Sequence, residues 1–415
     1  MPRKLPASAS ANTLDDCATY AALKAQTALG GLVQVGGRAT EDDGGGGLFR
    51  WLSGDQSANV TGDPQGGVYV PPDSDTDGSS GCWERVGWQN MPLKAEMFGG
   101  FPGAASSTAI NAAITFLNAK GGGTLLISGR TAAYQVGTSI TLRTNVAVIL
   151  DGATLDWTAS GGTVITSPSD DVLLRAELRC RSDGKIDADG AQHAVYLHSH
   201  QHCDFDLEIT GTITGTVFRS IADSTAGSGL KSNRNSVMNN YWWIGFDGSA
   251  AEGVRLEGSA ADGSFTRANV LNTLHSCHID GVTANGLYLG AHCDNNHYPG
   301  YCRYSLLANN AIGVEAADDA TCYSHSFGHL AIDAYGAFTG RKAIKLGNGS
   351  RFFTVADLFT DFTNTAEVDY ATMTDTQEDA ALFDFGTAKG IEIRHHRLGT
   401  DTLRYLRRDN TTVTV

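Results

Sequence analysis

Gly253-Val254-Arg255-Leu256, Gly286-Leu287-Tyr288-Leu289, Gly313-Val314-Glu315 and Ala343-Ile344-Lys345-Leu346 repeat one pattern, a polar residue set among apolar ones. Their first large apolar residues stand at 254, 287, 314 and 344, in steps of 33, 27 and 30. Upstream, Val164-Ile165-Thr166 and Ala194-Val195-Tyr196-Leu197 add 165 and 195, another step of 30. A second series interleaves: Leu173–Cys180, Cys203–Ile209, Phe265–Val270, Cys302–Leu307 and Phe352–Asp357. Several short strands within a period of about 20–35 residues mark a β-solenoid. One coil cannot bury its apolar face alone, so stacked coils make the core. Such strands run parallel and cannot be joined by hairpins. The Gly, Asn, Asp and Ser residues between them become corners. A β-sandwich would repeat every 8–12 residues or so, without this longer period.

Composition agrees. Glycine contributes 50 of 415 residues, against a usual share of about 7%. In a helix interior each would cost roughly 1 kcal/mol, which argues against a long bundle. Nine prolines and no three-residue glycine period exclude collagen. Hydrophobic residues at 41% exclude wholesale disorder. The net charge of −15 argues against a nucleic-acid partner and against adhesion to an anionic membrane. No run approaches 18 apolar residues, so no membrane insertion is expected. The start, MPRKLPASASAN, lacks the apolar core of a signal peptide. Eight scattered cysteines read mainly as small buried hydrophobes rather than disulfides.

Three regions follow. Residues 1–90 predict a small β-rich head with one short helix over Leu14–Ala25. Residues 91–395 predict the solenoid. Residues 396–415, ending Thr411-Thr412-Val413-Thr414-Val415, form a tail and potential clasp. The solenoid opens on a helix: Ser106 or Ser107 can cap it, and Ile110, Ile114 and Leu117 share one face. Gly121-Gly122-Gly123 ends it, before the strand Thr124–Ser128.

Ala95-Glu96-Met97-Phe98-Gly99-Gly100-Phe101-Pro102-Gly103, the helix from Ser107, the glycine triplet and Tyr134-Gln135-Val136 resemble the opening module of pectate-lyase-like right-handed parallel β-helices, widespread in phage tailspikes. The acidic pair usual before that helix is replaced by Ala105-Ser106-Ser107. Val35–Trp51 and Gly81–Val86 resemble segments that precede the module in tailspikes. The resemblance implies an all-β homotrimer in a virion tail, joined to tail or baseplate by the head. It implies a receptor-binding protein that depolymerises a bacterial capsular polysaccharide, exopolysaccharide or lipopolysaccharide, made in the host cytoplasm and acting at the bacterial surface. It implies no cofactor.

Alternation suggests where chemistry sits. In Cys203–Ile209 the odd positions are apolar, so Asp204, Asp206 and Glu208 share the outer face. A shift of 29 residues, aligning Leu174 with Cys203, sets Arg175 against Asp204, Glu177 against Asp206 and Arg179 against Glu208. Carboxylates on adjacent rungs lie about 4.8 Å apart, and two on one strand about 6.7 Å apart. Those separations approach the two spacings used in glycoside hydrolysis. Glu177, Asp204 and Asp206 are the candidate hydrolase residues, with Arg175 and Glu257 as substrate contacts. A second outward line, Arg255, Tyr288, Glu315 and Lys345, has His292 nearby. Arg255, Tyr288 and His292 could instead abstract a proton beside a uronate carboxylate, as a lyase does. Trp242 and Trp243 cannot both be buried, and an outward indole suits a sugar face. His275, Cys277, His278, His292, Cys293, His297 and Cys302 match no usual zinc spacing. The expectation is therefore a hydrolase, with a lyase and a binding-only fibre as alternatives.

Overall fold

The computed structural model describes residues 15–27, 29–129, 131–223, 236–258, 268–318, 322–334, 339–362, 381–397, 403–408 and 413–414. From 93 onward the chain winds into stacked parallel strands, closed at the end by antiparallel ones. The sequence period is the winding itself. Val254 pairs with Leu287, Leu287 with Val314, and Val314 with Ile344. The column extends through Ile140, Ile165, Val195 and Phe218 upstream and to Phe383 downstream. All nine side chains point inward and are buried. Fully burying such a side chain is worth about 1.5–3 kcal/mol, so this column alone is a major part of the core.

A second column carries the candidate site. Its strands pair in the order Thr124, Ala147, Glu177, Asp204, Tyr241, Thr273, His297, Ser326, Thr354, Glu392. The second sequence series recovers it in part and misplaces Phe265–Val270. Residues 265–267 lie outside the described residues. Asn269–Val270 belongs to a different, two-residue column, between Val237–Met238 and Cys293–Asp294.

That short column ends at one corner repeated up the molecule. Arg175, His202, Asn239, Leu271, Asn295, Ser324 and Phe352 each follow it with φ between 50° and 60°. The left-handed conformation is costly for non-glycine residues. Only two of the seven are asparagines, the residue most tolerant of it. The ladders on both sides therefore hold the corner, rather than local preference. Just inside it lies a stack of buried asparagines. Asn240 donates from Nδ2 to Asn272 Oδ1 at 2.8 Å, and Asn272 from Nδ2 to Asn296 Oδ1 at 3.0 Å. The same oxygens accept the backbone N–H groups of Asn240 and Asn272.

Residues 15–85 contain a five-stranded sheet separate from the winding. The expected helix over Leu14–Ala25 is shorter, Tyr20–Lys24, because Asp15–Cys17 instead pairs in parallel with Leu32–Val35. Arg85, the last residue of the strand Gly81–Arg85 in this sheet, is buried. It donates to the carbonyls of Gly45, Gly46 and Gly67 and to the Tyr20 hydroxyl. The solenoid helix runs Ser107–Ala119, with Ile110, Ile114 and Leu117 buried as the periodicity predicts. At the tail, Leu403–Arg408 and Val413–Thr414 add antiparallel strands to Lys389–Arg397. Thr411, Thr412 and Val415 of the expected clasp lie outside the described residues. All eight cysteines are free, seven of them buried. Among the described residues no helix is long and apolar enough to cross a membrane.

Candidate active site

The strand Asp204–Ala222 buries Phe205, Leu207 and Ile209 and turns Asp204, Asp206 and Glu208 outward. The rung before it is shifted by 27 residues, not 29. Glu177 pairs with Asp204, and Arg179 with Asp206. The correction has a local cause. Arg175 occupies the left-handed corner (φ 51°), as does His202 one rung on (φ 56°), and matching the corners sets the register. Arg175 is thus a corner residue and does not stand on the outer strand beside Asp204.

Arg179 binds the two carboxylates that flank it. Its Nε lies 3.1 Å from Glu177 Oε2, and Nη2 lies 2.6 Å from Asp204 Oδ2. Glu177 and Asp204 therefore share one cation. Among the described residues no ion pair or hydrogen bond reaches the Asp206 carboxylate. Burial raises the Glu208 carboxyl above its ordinary pKa, the Asp206 charge adds to the rise, and His278 opposes it. The rung above leaves space: Gly245 is in register with Glu208, and His278 with Gly245. A hollow of about 420 Å³ opens beside Glu208, lined also by Cys180, Asp183, Gly184, Lys185 and Thr210.

An aromatic surface adjoins this pair. Asp206 is in register with Trp243. The Trp243 indole stacks on His275 with centroids 4.4 Å apart and planes 4° apart. Tyr241, 48% exposed, stacks on the same imidazole at 5.8 Å. His275 is an extra residue in the ladder: Trp242 pairs with Leu274 but Trp243 with Ser276. Such bulges re-aim side chains and are common beside active sites. Trp242, expected as a sugar contact, is wholly buried against Phe218 and His200. Of the two indoles, Trp243 faces out, as alternation requires of one.

The second outward line also forms, with Arg255, Tyr288, Glu315 and Lys345 in consecutive register. Its charges answer one another. Arg255 contacts Glu252 at 2.7 Å and Glu257 at 2.6 Å, while its Cζ lies 4.3 Å from the Tyr288 ring centre. Arg219 binds the other Glu257 oxygen at 3.0 Å. Burial raises the Tyr288 phenol above its ordinary pKa, a poor setting for a base. Glu257 is held between two arginines, which fits a structural role better than the sugar contact expected of it. His292 stands at a left-handed turn (φ 52°) beyond the strand carrying Tyr288, not on its face. Cys277 is buried while His278 faces out, so the His/Cys set divides between inside and outside. Among the described residues no group of three or more His, Cys, Asp or Glu forms a metal cluster.

Sequence reasoning placed Glu208 on the right face but left it out of the catalytic set, because alternation alone does not rank three carboxylates. Tyr241 was readable from the same alternation as Trp243. His275 was not, since nothing in Leu274-His275-Ser276 marks a bulge.

No family model matches the sequence, and no curated protein matches it. Solved structures do. Tailspike protein 2 of an Escherichia coli bacteriophage matches with a TM-score of 0.55 at 14% identity, covering 95% of this chain and 48% of its own. The enzymatically active domain of tailspike protein 4 from bacteriophage CBA120 gives 0.53 at 12% identity, with 92% and 49% covered. The tailspike of an Acinetobacter phage gives 0.50 at 13% identity, with 97% and 76% covered. The chain spans about half the length of the first two. What it shares with all three is the fold, the parallel β-helix of phage tailspikes.

Proposed function

We propose that this chain is the β-helical part of a tailspike that binds and depolymerises a bacterial surface polysaccharide by glycoside hydrolysis. Glu208 is the general acid and Asp206 the general base. The observation that carries this assignment is their asymmetry on one strand. Burial and the Asp206 charge raise the Glu208 pKa, while among the described residues no ion pair or hydrogen bond reaches the Asp206 carboxylate. A carboxyl whose pKa is raised, beside a second one left open to a water, is the arrangement an acid and base pair needs. Two residues apart on one strand is about 6.7 Å, within the range that leaves room for a water and inverts the anomeric centre. Trp243, His275 and Tyr241 supply the platform for a sugar ring. Glu177, Arg179 and Asp204 hold the edge of the site as an ion-pair network and do not transfer protons.

The enzymatic designation of the tailspike 4 domain supports an activity in this fold. Homotrimerisation, a place in the virion tail and attachment through residues 1–90 belong to the same reading. A lyase acting through Arg255 and Tyr288 is less favoured, because Glu252 and Glu257 already satisfy that arginine. The deciding experiment is incubation with a panel of capsular and lipopolysaccharide preparations, with mass analysis of products. A gain of one water per cut supports hydrolysis. An ultraviolet-absorbing unsaturated product supports the lyase. Cell binding without product supports a fibre that only binds.

A further inference from the structure

We infer that Arg303, three strands above Glu208 in the same outward column, is a positioning residue for this acid and acts on it through His278. The inference rests on the assignment of Glu208 as the general acid. The column runs Glu208, Gly245, His278, Arg303. Three strand spacings are about 14 Å, too far for Arg303 to touch the acid itself. His278 lies between them. Gly245 has no side chain to separate it from Glu208, and the charges that act on Glu208 are those of Asp206 and His278.

The His278 Nε2 stands between two partners that require opposite things of it. Arg303 Nη1 lies 3.0 Å away. A guanidinium only donates, so this contact forms while Nε2 is bare. Asp280 Oδ2 lies 3.4 Å away. A carboxylate only accepts, so this contact forms when Nε2 carries a proton. Both partners are held in place. Arg303 Nε donates to Asp333 Oδ2 at 2.5 Å, and Ser305 Oγ donates to Asp280 Oδ1 at 2.8 Å. While Arg303 holds it, His278 is a neutral imidazole with its proton on Nδ1. The imidazolium carries protons on both nitrogens and must exchange Arg303 for Asp280. A positive His278 favours the ionised Glu208, which has no proton to give. By keeping Nε2 bare, Arg303 keeps Glu208 an acid to higher pH.

Other charged and titratable groups share this face. Asp204, Asp206, Asp247, His275 and Tyr301 stand on the strands of the column. Glu177, Arg179 and Arg181 occupy the strand below Glu208, and Asp183 and Lys185 line the hollow. All of them stay in place in the variants below, so they cancel in the comparison. Direct effects of Arg303 have the opposite sign to the relay. Losing its cation, or freeing the Asp333 carboxylate, raises the Glu208 pKa, whereas releasing His278 to the imidazolium lowers it.

The test is a carbon-13 NMR titration of the full chain labelled at the glutamate carboxyls, with the Glu208 signal assigned by its loss in Glu208→Gln. It needs no substrate. In Arg303→Met the Glu208 midpoint should fall by a few tenths of a pH unit, the size expected of unit charges about 10 Å apart in water. In Asp280→Asn, a change on a partly exposed side chain, it should rise. In the double variant Arg303→Met/His278→Ala it should match His278→Ala alone. An unmoved or raised midpoint in Arg303→Met, or a further fall in the double variant, overturns the inference. If Arg303→Met does not fold, Asp280→Asn decides, and an unmoved or lowered midpoint there overturns it. Profiles of kcat/KM against pH on a cleaved glycan then test the acid itself. Their alkaline limb should follow the NMR midpoint in each variant. If it does not, if Glu208→Gln keeps turnover within a few-fold, or if no preparation yields product, the acid assignment falls and takes the inference with it, a failure the titration tells apart from failure of the relay.

Discussion

Gly245 lies in register with Glu208 one rung away, and a β-carbon on it would stand 2.5 Å from Glu208 Oε2. The missing side chain is what lets this carboxyl lie over the next rung. In Gly245→Ala the obstacle is the far end of a flexible side chain, so the carboxyl swings aside and the fold survives. Thermal denaturation should move little, while kcat falls at least about tenfold through misplacement of the acid.

Asp206→Asn and Glu208→Gln should each lower kcat by about 10²–10⁴, the usual worth of a positioned acid or base. Circular dichroism and glycan binding should stay near normal. Turnover within a few-fold of wild type in both would end the assignment.

The His278→Ala variant tests the electrostatics rather than the chemistry. His278 lowers the Glu208 pKa. Its removal should move the alkaline limb of kcat/KM upward, because Glu208 keeps its proton to higher pH. A downward shift would contradict the geometry.

The adjacent indoles should part company. Trp242→Ala opens a cavity in the core and should cost about 3–5 kcal/mol in denaturant unfolding. Trp243→Ala should leave stability within about 1 kcal/mol, as outward-facing substitutions usually do, and raise KM.

Glu96 offers a pH-dependent signature far from the site. The Tyr134 hydroxyl lies 2.7 Å from Glu96 Oε1 and 2.6 Å from the Ser128 carbonyl, yet has one proton to give. A protonated Glu96 satisfies both contacts by donating to the tyrosine, and burial raises its pKa. The stabilisation is thus complete below the unfolded value near 4.3 and lost as pH rises through the raised folded value. Melting temperature against pH should slope downward over that window, and Glu96→Gln should flatten the slope.

The winding was legible because its inward column repeats apolar residues at coil length. Val254, Leu287, Val314 and Ile344 could be aligned by eye and are aligned in space. The site was legible as a face but not as a set of partners. Glu177 and Asp204 come together only because Arg175 and His202 hold the same left-handed corner. Neither arginine nor histidine advertises that conformation, so the two-residue slip could not be seen. Glu208 differs from Asp204 through Arg179 and Gly245, and both contacts cross rungs. Alternation describes one strand, whereas ranking charges requires the neighbours above and below.

The corner column has a consequence for how such a molecule can change size. Between successive strands of the site column the chain uses anything from 23 residues (Thr124 to Ala147) to 38 (Thr354 to Glu392). Each step still advances the stack by one strand spacing. Ten strands therefore fix a height of about 43 Å whatever the loops contain. Added residues between corners broaden the molecule without lengthening it. Only a whole added turn moves one end away from the other. A turn inserted beyond Phe353 would lengthen the molecule while leaving Asp206, Glu208 and Trp243 at their present positions.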